Sequence, residues 1–406
     1  MKRLLCSHLS GLLIIGAVAV RGASPPAIGE SQKARELNNI ASLYFERGDL
    51  AQAEAMFSQA ASMGEPEAAL NLASILRTEG RYAEAEQSAR RALELREQAA
   101  EGPGGERDNA KIAATLNLLG MVTTLQGRPG DAAAYLQRAL TAAERDSTAN
   151  RGALADILVN LGNAERLHGD LGNAQAHLQR ALTLSQGEES VRTAAALNGM
   201  SLTARARGDF KQARTLGTRA VQTLRAAAGP EHPDYAASLA NLAMIDQDLH
   251  DDRKARDLLL EALRIDQQKL GPDHPRIGVD LNNLGVVSTR LRDYASAESY
   301  FLRALEAEGK RNPGSAQLAL WTANLASLYS RQHRNAEALQ RFRSATTTLC
   351  SADGDDMRTA AILREYAGLL RAAGSFAEAE DVETKAMHIQ VKFALVNPRD
   401  AHAAGL

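Results

Sequence analysis

The chain has 406 residues, with 47 Lys and Arg against 49 Asp and Glu and a formal net charge of −2. That balance gives no overall electrostatic steer towards nucleic acid or an anionic membrane. Aromatic residues at 4% argue against a large aromatic core or a base-stacking surface, and two cysteines, Cys6 and Cys350, supply no disulfide framework.

Residues 1–23 read as a secretory signal peptide. Lys2 and Arg3 form the positive start, and Leu4, Leu5 and the stretch from Leu9 to Val20 form an apolar run interrupted by His8 and Ser10. Ala17-Val18-Ala19 is a small-x-small cleavage site, with Gly22 and Ala23 as further points. The run is short for a membrane span of about 20 residues. Cleavage and export to a periplasm or the medium are therefore favoured, with an uncleaved membrane anchor as the alternative. Residues 24–31 form a linker, 32–392 the main body, and 393–406 a tail whose Phe393, Leu395 and Val396 are placed to cover the last helix.

The main body is repetitive. Small residues stand at Ala41, Ala73, Gly120, Gly162, Ser201, Ala243, Gly285, Ala326 and Ala367. Twelve positions after each is an alanine, and seven further on is another, as in Gly285, Ala297 and Ala304. All eighteen later positions are alanine, and the unit-to-unit steps are 32, 47, 42, 39, 42, 42, 41 and 41 residues. The pattern describes two helices in close approach: a small residue on the first helix of a unit lies where the second crosses it, and two alanines two turns apart share the second helix's contact face. Leu161, Leu242, Leu284 and Leu325 on first helices, and Leu259, Phe301 and Phe342 on second helices, flank the contact.

These residues resemble the tetratricopeptide repeat family. The Leu281-Asn282-Asn283-Leu284-Gly285 run and the linkers Gly229-Pro230-Glu231-His232-Pro233 and Gly271-Pro272-Asp273-His274-Pro275 are similar to its longer, roughly 42-residue, kinesin-light-chain-like branch. The resemblance implies an all-α, right-handed superhelical solenoid of about nine helix–turn–helix units, acting as a scaffold.

In chain order, unit one turns at Gly48-Asp49-Leu50 and unit two at Gly80-Arg81-Tyr82. The longest step contains Glu101-Gly102-Pro103-Gly104-Gly105-Glu106, a helix-breaking surface loop without the Lys and Ser/Thr of a phosphate-cradling loop. Units three and four turn at Gly127 and Gly169. Unit five carries Gly199 and Gly217 inside its helices, each costing roughly 1 kcal/mol relative to alanine, and is expected to be a softer joint. Unit nine follows Asp353-Gly354-Asp355-Asp356, and Glu365 and Glu383 give it the polar outer face of a terminal unit.

Chemistry is sparse. No zinc-ligand spacing, nucleophile–base motif or calcium loop stands out, so no catalytic residue, metal or cofactor is expected. Cys350 reads as half-buried at the end of a second helix, with intermolecular pairing as the alternative. His232 and His274 occupy equivalent linkers and are expected to be structural.

One column rises above this background. Two positions before the small residue stand Asn39, Asn71, Asn160, Asn241, Asn283 and Asn324; units three, five and nine have Leu118, Gly199 and Glu365 instead. Asparagine is a mediocre helix former, and at about 100° per residue this position points away from the core. The family resemblance implies that these six amides contact the backbone of an extended peptide in the concave groove. The competing reading is a ladder between units, broken at unit three, where Asn117 comes one position early. Met121, Leu125, Leu167, Leu202 and Met244 make the middle of the groove apolar, and Arg290 and Arg331 make its later part basic. A protein or peptide partner with an apolar anchor and an acidic end would fit, as against ordinary packing at these positions. A structural part of an envelope assembly and a small-ligand receptor or enzyme are the alternatives. The partner's identity and the oligomeric state are not legible.

Overall fold

The structure is a computed structural model that describes residues 29–101, 108–146, 150–185, 190–351 and 357–396. The signal-peptide reading, the loop from Gly102, the Asp353–Asp356 turn and the tail after Val396 lie outside the described residues, while Phe393 to Val396, expected in a tail that covers the last helix, instead continue that helix, with Leu395 exposed. Eighteen helices and no strand are found among those described. They form nine antiparallel pairs: α1 (Glu30–Glu46) and α2 (Leu50–Ser62), α3 (Pro66–Thr78) and α4 (Tyr82–Glu101), α5 (Asn109–Leu125) and α6 (Pro129–Arg145), α7 (Arg151–His168) and α8 (Leu171–Leu184), α9 (Val191–Ala206) and α10 (Phe210–Ala228), α11 (Pro233–Asp248) and α12 (Asp252–Lys269), α13 (Pro275–Arg290) and α14 (Tyr294–Arg311), α15 (Ala316–Arg331) and α16 (Asn335–Ser351), and α17 (Met357–Ala372) and α18 (Phe376–Val396).

The turn inside every pair is made the same way. The residue seven after the small position is left-handed in all nine units, at Gly48, Gly80, Gly127, Gly169, Gly208, His250, Arg292, His333 and Gly374. That conformation ends the first helix and redirects the chain. Glycine adopts it without a Cβ clash; His250, Arg292 and His333, at φ of 60°, 61° and 60°, do not have that freedom. Asp49, Asp170, Asp209 and Asp293 then cap the second helices, each carboxylate accepting the backbone N–H three residues on. The two linker histidines are caps too. His232 Nδ1 accepts the Asp234 N–H at 3.1 Å and His274 Nδ1 the Arg276 N–H at 3.3 Å, each ahead of a proline at the first helical position.

Packing follows the alanine columns. All eighteen alanines are at most 1% exposed. Four residues after the first alanine stands a large apolar side chain in six of the nine units, Phe57, Leu136, Leu178, Leu259, Phe301 and Phe342, with Ala89 in unit two and Glu383 in unit nine. A Cβ on Gly285 would stand 2.5–2.8 Å from the Phe301 ring, and one on Gly120 would stand 2.3 Å from Leu136 Cγ.

Unit five inverts this arrangement. Its small position holds Ser201, whose Oγ donates to the Ala213 carbonyl at 2.7 Å, and the position four after that alanine holds Gly217. A Cβ on Gly217 would lie 2.9 Å from Ser201 Oγ and 3.2 Å from Leu242 Cδ1, and one on Gly199 would lie 2.6 Å from Leu178 Cδ2. Both glycines are buried where neighbours need the room. Two expectations change. Cys350 is exposed rather than half-buried. The outer face of the last helix is mixed rather than purely polar: Phe376, Met387, Val391 and Leu395 are 69%, 61%, 53% and 78% exposed, beside exposed Glu380, Asp381, Thr384 and Lys385.

First helices of consecutive units touch along most of the array, while second helices show no comparable contact with one another. Crowding on one side and splaying on the other curves the stack, so the first helices line the inner, concave wall of a right-handed solenoid.

Two substitutions test this packing. Gly285→Ala forces a methyl into the Phe301 ring and should destabilise the fold by about 1–3 kcal/mol, read from the urea midpoint. Arg292→Gly relieves a left-handed residue and should stabilise it by about 1 kcal/mol, once the entropy of the added glycine is subtracted.

Candidate functional site

The inner wall is built from the faces of the first helices that the alanine contacts leave free. Asparagine pairs join consecutive first helices there. Asn71 Nδ2 donates to Asn38 Oδ1 at 3.1 Å, Asn160 to Asn117 at 2.9 Å, Asn241 to Asn198 at 3.3 Å and Asn324 to Asn282 at 2.9 Å. Each rung runs from the position two before the small residue to the position three before it in the preceding unit. Rungs therefore tie units one to two, three to four, five to six and seven to eight, so Asn71, Asn160, Asn241 and Asn324 form the contacts between units that the ladder reading expected. Asn117 is half of a rung rather than a break. The accepting asparagines escape the sequence reading because their column alternates with Leu70, Val159, Ala240 and Ala323. A search for asparagine at either of the two adjacent positions would have found them.

Asn39 is exposed and Asn283 half-buried, and neither amide has a partner among the described residues. In each rung one amide uses only a donor and the other only an acceptor. The oxygen of the later asparagine and the NH₂ of the earlier one remain available.

Beside the Asn117–Asn160 rung, α5, α6 and α7 form a half-open recess of about 320 Å³, with Ala110, Ala114, Ala153 and Ile157 on its apolar wall and Asp146, Asn150 and Asp156 also lining it. Leu125 and Leu167 are 48% and 51% exposed at the other end of the same helices. Met121, Leu202 and Met244 are half-buried.

The two arginines expected to make the later groove basic differ from each other. Arg290 Nε lies 2.7 Å from Asp252 Oδ1, and its Nη2 donates to the Gln247 carbonyl at 2.8 Å and approaches His250 Nδ1 at 3.2 Å. It braces the preceding unit's turn, and its charge is answered within the chain. Arg331 is exposed and has no partner among the described residues.

The most perturbed carboxylates lie away from this wall. Asp266 of α12 and Asp280 of α13 are 0% and 4% exposed. Burial, and then the neighbouring Asp266, push Asp280 up to about 8, and burial also raises Asp266. Arg276 Nη2, 2.9 Å from Asp266 Oδ2, offsets part of the cost. The pair is sealed between two helices, so it reads as a structural junction rather than an acid–base site.

A family model described as tetratricopeptide repeat matches residues 64–145, 111–187, 192–268, 241–308 and 281–351, and a second of the same description matches 37–65. No curated protein matches. Among solved structures, a signal transduction ATPase with numerous domains, carrying a tetratricopeptide repeat sensor, from Pyrococcus horikoshii is similar at 13% identity and a TM-score of 0.57, over 91% of this chain and 54% of that one. The apo form of RapI is similar at 15% identity and a TM-score of 0.54, over 69% of this chain and 98% of its own. At these identities the likeness concerns the fold.

The buried pair makes a pH prediction. Asp280 holds its proton up to about 8 when folded, against a model-compound value of 3.8. Between those values the folded state binds more protons than the unfolded one, so stability falls as pH rises through that window. Asp280→Asn should flatten this fall, and its advantage over the parent in thermal midpoint should grow from pH 5 to pH 8.

Proposed function

The chain belongs to the tetratricopeptide repeat family, whose members are generally non-catalytic interaction scaffolds, and we propose that it holds an extended segment of a partner protein along the wall of first helices. The observation that carries this reading is the amide donors and acceptors that the four asparagine rungs leave unused on the first-helix wall, one rung, Asn117–Asn160, lying beside a mainly apolar recess. Amides suit a peptide backbone whatever its side chains, since each can donate and accept. Each such bond adds only about 0.5–1.5 kcal/mol net, so several units must act together. The recess by Asn117 would take an apolar side chain. The 42-residue steps and the paired linkers favour the kinesin-light-chain-like branch, and the pattern of residues 1–23 favours an exported protein.

A second reading, a structural component of an envelope assembly, draws on the exposed stripe Phe376, Met387, Val391 and Leu395 of α18. Self-association by light scattering that disappears on Met387→Glu would favour it.

The groove reading is tested by changing Asn241, Asn283 and Asn324 together to alanine and repeating crosslinking capture with the exported form. Capture of a defined partner should drop while helicity by circular dichroism holds. Unchanged capture would remove the asparagines from the binding surface.

A further inference from the structure

Along the inner wall, the residue four after the small position faces the residue five after it in the next unit. Arg205 of α9 meets Asp248 of α11 in this register, with Nε 2.5 Å from Oδ2. Arg290 reaches the Gln247 carbonyl across the following junction in the same way. One junction earlier the register holds Arg166 of α7 opposite Ala206 of α9, and Ala206 is exposed.

Arg166 therefore lacks the carboxylate that Arg205 has. It is half-buried, its Nε is sealed from solvent without an acceptor, and no partner answers it among the described residues. Burial first, and the adjacent Arg205 second, push its pKa below the usual arginine range. A guanidinium withdrawn from water, without a counter-ion and beside a second guanidinium, opposes folding. Arg77 repeats the register two units earlier, with its Nε likewise sealed and unsatisfied, opposite Leu125.

We propose that the junction of units four and five, centred on Arg166, is an anion subsite that receives the carboxylate of an Asp or Glu side chain on the bound segment. The proposal rests on the groove reading and deepens it. It places the acid-selecting position at Arg166, not at Arg290, whose charge Asp252 already meets. A planar guanidinium with open donors matches a carboxylate in two parallel bonds. Leu167, next along α7, is 51% exposed, and the recess near Asn117 lies at the preceding junction, of units three and four. The segment it fits carries an apolar residue before or after an acidic one.

The test uses the full chain and a phage-displayed library of random decapeptides, selected in parallel on the parent, Arg166→Met and Arg331→Met. The parent and Arg331→Met pools should be enriched in Asp or Glu at one register position, and the Arg166→Met pool should lose that enrichment while still yielding peptides. A synthetic peptide from the parent pool, with its terminus amidated to exclude the terminal carboxylate, should bind Arg166→Met roughly 10–100-fold more weakly. Its acid-to-amide version should bind both proteins alike. Removal of the uncompensated charge should leave the thermal midpoint unchanged or raised, which separates lost recognition from lost folding. Acidic enrichment that survives Arg166→Met, or a parent pool without acids, overturns the subsite and leaves the groove standing. A parent chain that selects no peptide overturns both.

Discussion

Everything in the array depends on one contact, a small residue on the first helix of a unit meeting a covering side chain on the second. Alanine twelve and nineteen positions on lets the helices close, and the covering residue fills what remains. The way the contact is filled differs from unit to unit. Gly285 with Phe301, Gly120 with Leu136, and Ser201 with Gly217 fill it from opposite directions. Because these contacts hold one face of each first helix, the opposite face is left to form a continuous wall. Nearest-neighbour packing of this kind leaves the wall's chemistry free to vary from unit to unit.

The fold was legible because its determinant is periodic and nearly invariant, eighteen alanines in register. The donor half of each asparagine rung was legible for the same reason. The acceptor half was not, since Asn38, Asn117, Asn198 and Asn282 alternate with aliphatic residues and only acquire meaning across a unit boundary. In unit five, Leu178 and Ser201 occupy the space that side chains at Gly199 and Gly217 would take, a packing reason for both glycines that propensity at isolated helix positions does not register. The left-handed turns at His250, Arg292 and His333 carry no glycine to announce them, although their place in the period does.

Charge was hardest to read in advance. Arg290 and Arg331 look equivalent in sequence, yet Asp252, thirty-eight residues before Arg290, meets one and leaves the other. Arg166 and Arg205 occupy one column and differ through what the next unit supplies, Ala206 for the first and Asp248 for the second. The Asp266–Asp280 pair shows the same dependence inside the stack, where two carboxylates and one guanidinium meet at a helix junction. Formal net charge, close to zero, conceals all of these local imbalances.

The four asparagine rungs share one sense: in each, the later unit gives the hydrogen and the earlier unit receives it. The spare groups are then ordered too, NH₂ before oxygen, pair after pair from the amino end of the solenoid to the carboxyl end. A wall with that ordering is a vector and not a symmetric slot. A strand laid along it forwards and the same strand reversed would meet different sequences of spare groups, so chain direction itself becomes something the surface can read.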